Sequence, residues 1–341
     1  DPQILERLTR VIMLRMRQAR KKTGRAAEPK VFALLTTSPT IDLKLRAHAI
    51  SDELKTMGLR VATVGEEAVG MPAAYFDDLE NRNDIVLLLG AIGDTPWFKM
   101  TQRHADRMWV LARADARPSV PLLPEDQSPA RQFRLVDLVL IHHADERRAT
   151  STLEWKYATE AARVFHWHGL DHEDCRRLAR TMSGKSVGLV LSGGGARAYA
   201  HIGVIKALRE ANCPIDFIGG ASMGAIVAAS LACGWDDAEI EYRIRKAFVE
   251  SNPLSDYRLP VVGLVKGHKV DARLKEHFGE VLIEDLKVPY FAVSTNLTQG
   301  TFMIHDHGLL REALRASISL PGILPPVVAD RQVLVDGAVL N

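Results

Sequence analysis

The sequence predicts two successive α/β regions, and three observations carry that prediction. From Val31 onward, short apolar runs alternate with stretches of helical periodicity, the pattern of a parallel sheet joined by helices. Further on, Val187 to Leu191 runs into Gly193-Gly194-Gly195 before a helical pattern resumes through Val204, Leu208 and Ala211. Ile215 to Ile218 then runs into G-A-S-M-G, with Ser222 at its centre, before the Ala-rich stretch Ala225 to Ala232. The last two segments are both strand-to-helix turns built on glycine.

At the start of the chain, Ile4, Leu8, Ile12 and Leu14 fall at helical spacing and lead into the basic run R-Q-A-R-K-K-T-G-R. Residues 1–25 are therefore expected to form a helix and linker. Residues 26–183 are expected to form an α/β domain of regulatory or interaction type. Its strands are Val31 to Thr36, Leu59 to Val64, Ile85 to Leu89, Met108 to Ala112 and Val136 to Ile141. Its helices are Leu43 to Met57, Ala73 to Glu80, Ser151 to Val164 and His172 to Met182, the last ending at Ser183-Gly184. The proline-rich run from Pro118 to Pro129 is excluded from helix interior and is read as a surface loop.

Residues 184–341 are expected to form the second domain. After the Ser222 turn come a charged amphipathic helix from Asp236 to Glu250, the runs Val261 to Val265 and Val270 to His277 flanking K-G-H-K, and a strand from Tyr290 to Asn296. A helix from Glu312 to Ile318 and a last strand from Val333 to Val335 follow, the strand stopping at Asp336-Gly337-Ala338. The chain opens without Met and closes at Asn341, so a longer parent protein, with this domain cut short at its C-terminus, is expected.

Composition narrows the functional classes. A content of 47% hydrophobic and 25% charged residues is that of a soluble globular protein. The net charge of +2 and the lack of basic-aromatic interleaving argue against nucleic acid as a partner. Cys175, Cys213 and Cys233 are too widely spaced for a C-x-x-C metal site, and their odd number argues against a disulfide framework; a reducing compartment is the simplest reading. No stretch approaches the length of a transmembrane helix, so any membrane contact is expected to be peripheral, from the cytoplasmic side.

Three binding readings fail at the residue level. T-T-S-P-T after the first strand stands where a phosphate loop would, without its glycines or its G-K-[ST] ending. His166, His168 and His172 with Asp171 and Cys175 do not fall at zinc-ligand spacings, so no metal is expected and the histidines read as interfacial. Gly193-x-Gly195-x-x-Ala198 fits a dinucleotide fingerprint, yet the second strand ends in G-G-A-S-M-G rather than in an acidic residue for a ribose.

What remains is nucleophilic chemistry. G-x-S-x-G between strand and helix is a nucleophile elbow: Gly220 and Gly224 let backbone approach closely, and the helix N-terminus favours developing negative charge. The amides of Gly193, Gly194, Gly195 and Ala196 are suited to an oxyanion hole. The base is open from the residues alone. No histidine follows Asp336, His305 and His307 precede it, and His201 sits too close to the glycine turn for a usual triad member. The alternative is Asp336 acting directly, which requires a desolvated carboxylate.

G-G-G-A-R-A at Gly193 to Ala198, G-A-S-M-G at Gly220 to Gly224, R-A-S-I-S-L-P-G-I-L-P-P at Arg315 to Pro326 and D-G-A at Asp336 to Ala338 together resemble the ordered blocks of patatin-like phospholipases. The region from Val187 is most similar to the neuropathy target esterase branch, whose members act as lysophospholipases. The resemblance covers somewhat under half the chain, from about Lys185. It departs from the family pattern at Ala198 and Ala338, where glycine is commoner.

The resemblance implies a three-layer α/β/α catalytic domain and a serine acylhydrolase of phospholipids or lysophospholipids working through an acyl-enzyme. It makes Ser222 the nucleophile, Asp336 the base and the glycine turn the oxyanion hole, with no cofactor, and Arg197 a candidate for the substrate phosphate. It also implies a peripheral membrane setting and, upstream in a longer protein, a cyclic-nucleotide-binding module. The competing readings are a catalytically silent lipid-binding or regulatory module of the same fold, and a lipid transacylase.

Overall fold

The computed structural model describes residues 29–119, 135–143, 149–257 and 263–340. The opening helix expected over residues 1–25, most of the proline-rich loop and the start of the Val261 to Val265 run lie outside these residues. The chain divides into two compact units, Asp1–Lys185 and Ser186–Asn341.

The first unit holds strands β1 (Val31–Thr36), β2 (Val61–Val64), β3 (Ile85–Ala91), β4 (Arg107–Arg113), β5 (Leu135–His142) and β6 (Arg163–His168). Its helices are α1 (Leu43–Thr56), α2 (Ala73–Arg82), α3 (Pro96–His104), α4 (Thr152–Thr159) and α5 (His172–Met182). The six strands form one parallel sheet in the order β2-β3-β1-β4-β5-β6. Every residue of β1 is buried, as expected of a central strand covered on both faces. The step from β1 to β2 runs one way along the sheet, whereas the later steps run the other way. Right-handed crossovers therefore place α1 on one face and α2, α3 and α4 on the opposite one.

Local chemistry sets the helix starts. Asp42 caps α1 by accepting from Leu45 N at 2.9 Å, and Thr95 caps α3 from Phe98 N at 3.1 Å with Pro96 at the first position. The helix predicted from Ser151 to Val164 is shorter than its periodicity suggests. It stops at Glu160, whose φ of 52° is left-handed, and the chain re-enters the sheet as β6. His166 and His168 therefore lie on a strand. Helix α3 is a further element that the sequence pattern had passed over.

On β5 and β6, buried His142 and His166 and half-buried His168 form one group, whereas His172 is exposed. His142 Nε2 meets His166 Nδ1 at 2.8 Å, His142 stacks on His168, and His168 Nδ1 meets Asp174 Oδ2 at 2.9 Å. Burial pushes the His142 imidazole down to about 3, and its His166 and His168 neighbours add to the shift.

The second unit holds strands β7 (Gly188–Leu191), β8 (Phe217–Ala221), β9 (Tyr290–Asn296), β10 (Thr301–His305), β11 (Val327–Ala329) and β12 (Gln332–Asp336). Its helices are α6 (Ala200–Glu210), α7 (Met223–Ala232), α8 (Asp237–Ile244), α9 (His268–Phe278) and α10 (Leu310–Ser317). The segment expected as one helix from Asp236 to Glu250 is α8 followed by a wider π-type turn over Arg245–Glu250. β7, β8 and β9 are parallel, while β10 and β12 run antiparallel to β9.

Helix α7 is apolar all round and buried from Gly224 to Ala232, so it forms the centre of the core that Ile205, Ile240, Leu274, Leu314, Ile218 and Tyr290 complete. The same registers gather exposed Val190, Phe302, Ile304 and Val328 on the opposite sheet face. Glycine lets α7 start so close to β7. A Cβ on Gly224 would stand 2.3 Å from Ser192 O and 2.4 Å from Leu191 O.

Two predictions follow from this packing. Above pH 6.5 His142 is neutral both folded and unfolded; between 6.5 and about 3 only the unfolded chain takes up its proton. The first unit should therefore lose about 1.4 kcal/mol for each pH unit through that window. Denaturant unfolding followed through Trp97, Trp109, Trp155 and Trp167 measures it, and His142→Phe should flatten the slope. In the second unit, Gly224→Ala should cost about 3 kcal/mol or more, because the clashing atoms are backbone. Gly188→Ala, with nothing within 4 Å of its new Cβ, should change stability by less than about 0.5 kcal/mol. Unfolding monitored at Trp235 distinguishes the two.

Candidate active site

The site begins with how three strands share one edge. β10 pairs with Ala292 to Asn296 of β9, overlapping both the β8 pairing at Tyr290 to Val293 and the β12 pairing at Ser294 to Asn296. A strand has only two edges, so β8 and β12 must both lie on the edge opposite β10. They run toward each other along it. Ala221 ends β8 opposite Val293, and Asp336 ends β12 opposite Ser294, the next residue of β9. Ser222 and Asp336 are thus brought head to head by sheet register.

The chain turns sharply at this junction. Ser222 has φ 53° and ψ −134°, a conformation that costs a residue with a Cβ about 1–3 kcal/mol. Its Oγ makes no capping bond to the helix it precedes and donates to Asp336 Oδ2 at 2.5 Å. Asp336 is 2% exposed. Its other oxygen accepts from Ala338 N at 2.9 Å, and no cation pairs with it among the described residues. Burial pushes the carboxyl above its ordinary value, with the bonds from Ser222 and Ala338 opposing that shift. Glycine follows because a Cβ on Gly337 would meet Val293 O at 2.3 Å and Ala221 Cβ at 3.1 Å.

The glycine turn lies against the serine. A Cβ on Gly193 would stand 2.9 Å from Ser222 Cβ. Gly194 and Gly195 have φ 153° and 55°, and a 3-10 turn from Gly195 to Tyr199 leads into α6. Arg197 N closes on Gly194 O at 3.2 Å, whereas the amides of Gly193 to Ala196 donate to no acceptor among the described residues. The arrangement therefore leaves amide donors free beside a serine hydroxyl held on a carboxylate. Arg197 is exposed, and its guanidinium has no ion-pair partner among the described residues. A cavity of ≈ 590 Å³ between α6 and α8, lined by Tyr199, Ile202, Lys206, Glu241 and Val249 among others, includes neither Ser222 nor Asp336.

The histidines have other partners. His201 Nε2 meets Ser192 O at 3.0 Å, His305 Nε2 meets Ser294 Oγ at 2.7 Å, and His307 Nδ1 meets Asp306 Oδ1 at 2.7 Å. None of them hydrogen-bonds Ser222 among the described residues. Sequence reasoning gave no role to Ser317 and Ser319 at the end of α10. Ser317 Oγ accepts from Ser222 N at 2.9 Å and donates to Val293 O at 2.7 Å, while Ser319 O accepts from Asp336 N at 2.9 Å. The available signal was the spacing of two small hydroxyl residues just past an amphipathic helix.

Residues 189–341 match the family model described as patatin-like phospholipase, a domain that fits the three-layer α/β/α class. Over 343 residues the chain is 33% identical to an uncharacterized NTE family protein of Mycobacterium bovis, covering 96% of this chain and 56% of that protein. It is 31% identical over 295 residues to patatin-like phospholipase domain-containing protein 6 of Homo sapiens, covering 77% of this chain and 21% of that protein. Over 275 residues it is 34% identical to neuropathy target esterase sws of Drosophila persimilis, covering 76% and 19%. The chain thus spans about half the length of the bacterial relative and about a fifth of the animal ones. The family match and the identity running upstream of the glycine turn lead to one placement: residues 189–341 are a patatin-like phospholipase domain, and the chain that carries it is a homologue of neuropathy target esterase family proteins.

Proposed function

We propose that the second unit is a serine acylhydrolase that cleaves the carboxylic ester of phospholipids or lysophospholipids through an acyl-enzyme. The observation that carries this reading is the 2.5 Å bond from Ser222 Oγ to a buried carboxylate at Asp336 that pairs with no cation among the described residues. A carboxylate in water is a poor base for an alcohol; one that burial raises is a better one. The printed names of the relatives, a phospholipase domain protein and an esterase, support a lipid ester as substrate.

In this mechanism Asp336 Oδ2 takes the Ser222 proton as Oγ attacks the ester carbonyl. The carbonyl oxygen becomes an oxyanion facing the free amides of Gly193 to Ala196 at the head of α6. Collapse of the tetrahedral species expels the alcohol, which leaves with the proton from Asp336, and the acyl group remains on Ser222. Water then enters, gives its proton to Asp336 and attacks the acyl carbonyl; release of the fatty acid returns the proton to Oγ. The unpaired Arg197 guanidinium is the group in this turn suited to a phosphodiester. Among the described residues no helix is long and apolar enough to cross a membrane.

Ser222→Ala should abolish both ester hydrolysis and covalent labelling by a fluorophosphonate, and labelling that persists would overturn the assignment. Asp336→Asn should lower kcat by about three orders of magnitude or more. Its stability should move the other way. A carboxyl raised by burial contributes stability below its ordinary pKa and loses it as pH rises through the raised value, so near neutral pH the Asn variant should unfold at equal or higher denaturant than the wild type. For Arg197, replacement by Ala should raise KM about tenfold for a lysophospholipid and leave KM for an uncharged p-nitrophenyl ester unchanged.

A further inference from the structure

We propose that Ser317 is a positioning residue for the reaction: its hydroxyl completes a rung of the sheet that the Ser222 turn breaks, and so fixes the nucleophile against Asp336. This rests on the reading of Ser222 as nucleophile. The parallel ladder between β8 and β9 starts with Ile218 N donating to Pro289 O at 3.0 Å. Acceptors of such a ladder recur at every second residue, which makes Phe291 O and then Val293 O the next in line. The donor for the Val293 rung would be Ser222 N. The ladder instead ends at Ala221, and the Ser222 amide bonds a side chain from elsewhere. Ser317 Oγ is spliced into the gap, accepting from Ser222 N at 2.9 Å and donating to Val293 O at 2.7 Å.

The same short turn holds the base. Two residues on, Ser319 O accepts from Asp336 N at 2.9 Å. Ser319 is in turn anchored by Arg315, whose guanidinium donates to Ser319 Oγ at 2.5 Å, to Asp271 Oδ1 at 2.7 Å and to Pro325 O at 3.3 Å. Residues 317–319 therefore grip the backbone of both members of the dyad from a third piece of chain. Ser317 is fully buried, so no water can replace its hydroxyl in either bond. A hydroxyl there only to satisfy two backbone groups would affect folding alone. A positioning hydroxyl affects turnover of molecules that are folded.

The test compares Ser317→Thr with Ser317→Val in the full chain, because the two side chains share a shape and differ in the hydroxyl. Active sites are counted by fluorophosphonate labelling to completion, and turnover of a p-nitrophenyl ester is expressed per labelled site. The Val variant should turn over at least about tenfold more slowly than the Thr variant with KM unchanged, as expected when a reacting atom loses its alignment. Equal turnover per site, or a loss wholly accounted for by fewer labelled sites, overturns the positioning role. Wild-type amide hydrogen exchange needs no variant: Ser222 N–H should exchange about a hundredfold more slowly than Gly195 N–H, and similar rates overturn the spliced rung. Failure of the underlying reading is separable. Activity surviving in Ser222→Ala removes the nucleophile assignment, whereas an inactive Ser222→Ala with equal Thr and Val variants removes the role of Ser317 alone.

Discussion

The second unit depends on one constraint: two strands of opposite direction end against each other on a single edge of β9. Ala221 and Asp336 occupy consecutive positions along that edge, and no residue separates them. Junctions of this kind leave backbone groups without ladder partners, and the surrounding sequence is a set of local answers to that problem. Gly337 keeps a side chain out of the space between Val293 O and Ala221 Cβ. Ser317 occupies the broken rung. Gly220 and Gly224 let α7 leave at once, packed on the carbonyls of Leu191 and Ser192. At Gly220, Gly224 and Gly337 backbone lies where a side chain would go.

The electrostatics follow from the same junction. Asp336 sits at a strand end within the sheet, so its carboxyl is buried by architecture rather than by a lid. Its partners are two donors, a hydroxyl and an amide, without a cation among the described residues to hold the charge. Burial outweighs those two bonds, and the group stays above its ordinary value. A histidine between the two residues would need space that the 2.5 Å contact does not leave. His305, on β10 beside β9, is committed to Ser294 instead. The direct serine-carboxylate contact is thus a consequence of the strand register.

The sequence made legible what depends on glycine spacing and on period. Gly193 to Gly195, the G-A-S-M-G turn and Asp336-Gly337 could be read because glycine marks backbone approach, and the structure brings the first and the third of these against the Ser222 turn. The alternation of strands and helices from Val31 gave the α/β class. What could not be read was set by distant chain. β6 looked like the tail of a helix because Glu160, a residue with a Cβ, takes the left-handed stop where glycine would have signalled one. β10 carries exposed Phe302 and Ile304 with no polar alternation to mark it as a strand. Ser317 and Ser319 look like ordinary helix-end hydroxyls until β9 and β12 are brought to them.

Strain at Ser222 shows why the third piece of chain matters. A residue with a Cβ at φ 53° relaxes unless its neighbours over-determine it, and here relaxation would rotate Oγ off Asp336. The bond to the carboxylate alone cannot prevent this if the proposed mechanism holds, since proton transfer would then rearrange that bond at each step. What must hold the turn is a contact that does not change during the reaction. The Ser222 amide bound to Ser317 is such a contact, because the amide neither gains nor loses a proton. In the proposed reaction, separating the atom that reacts from the atom that is held would let one strained residue serve as nucleophile without losing its place.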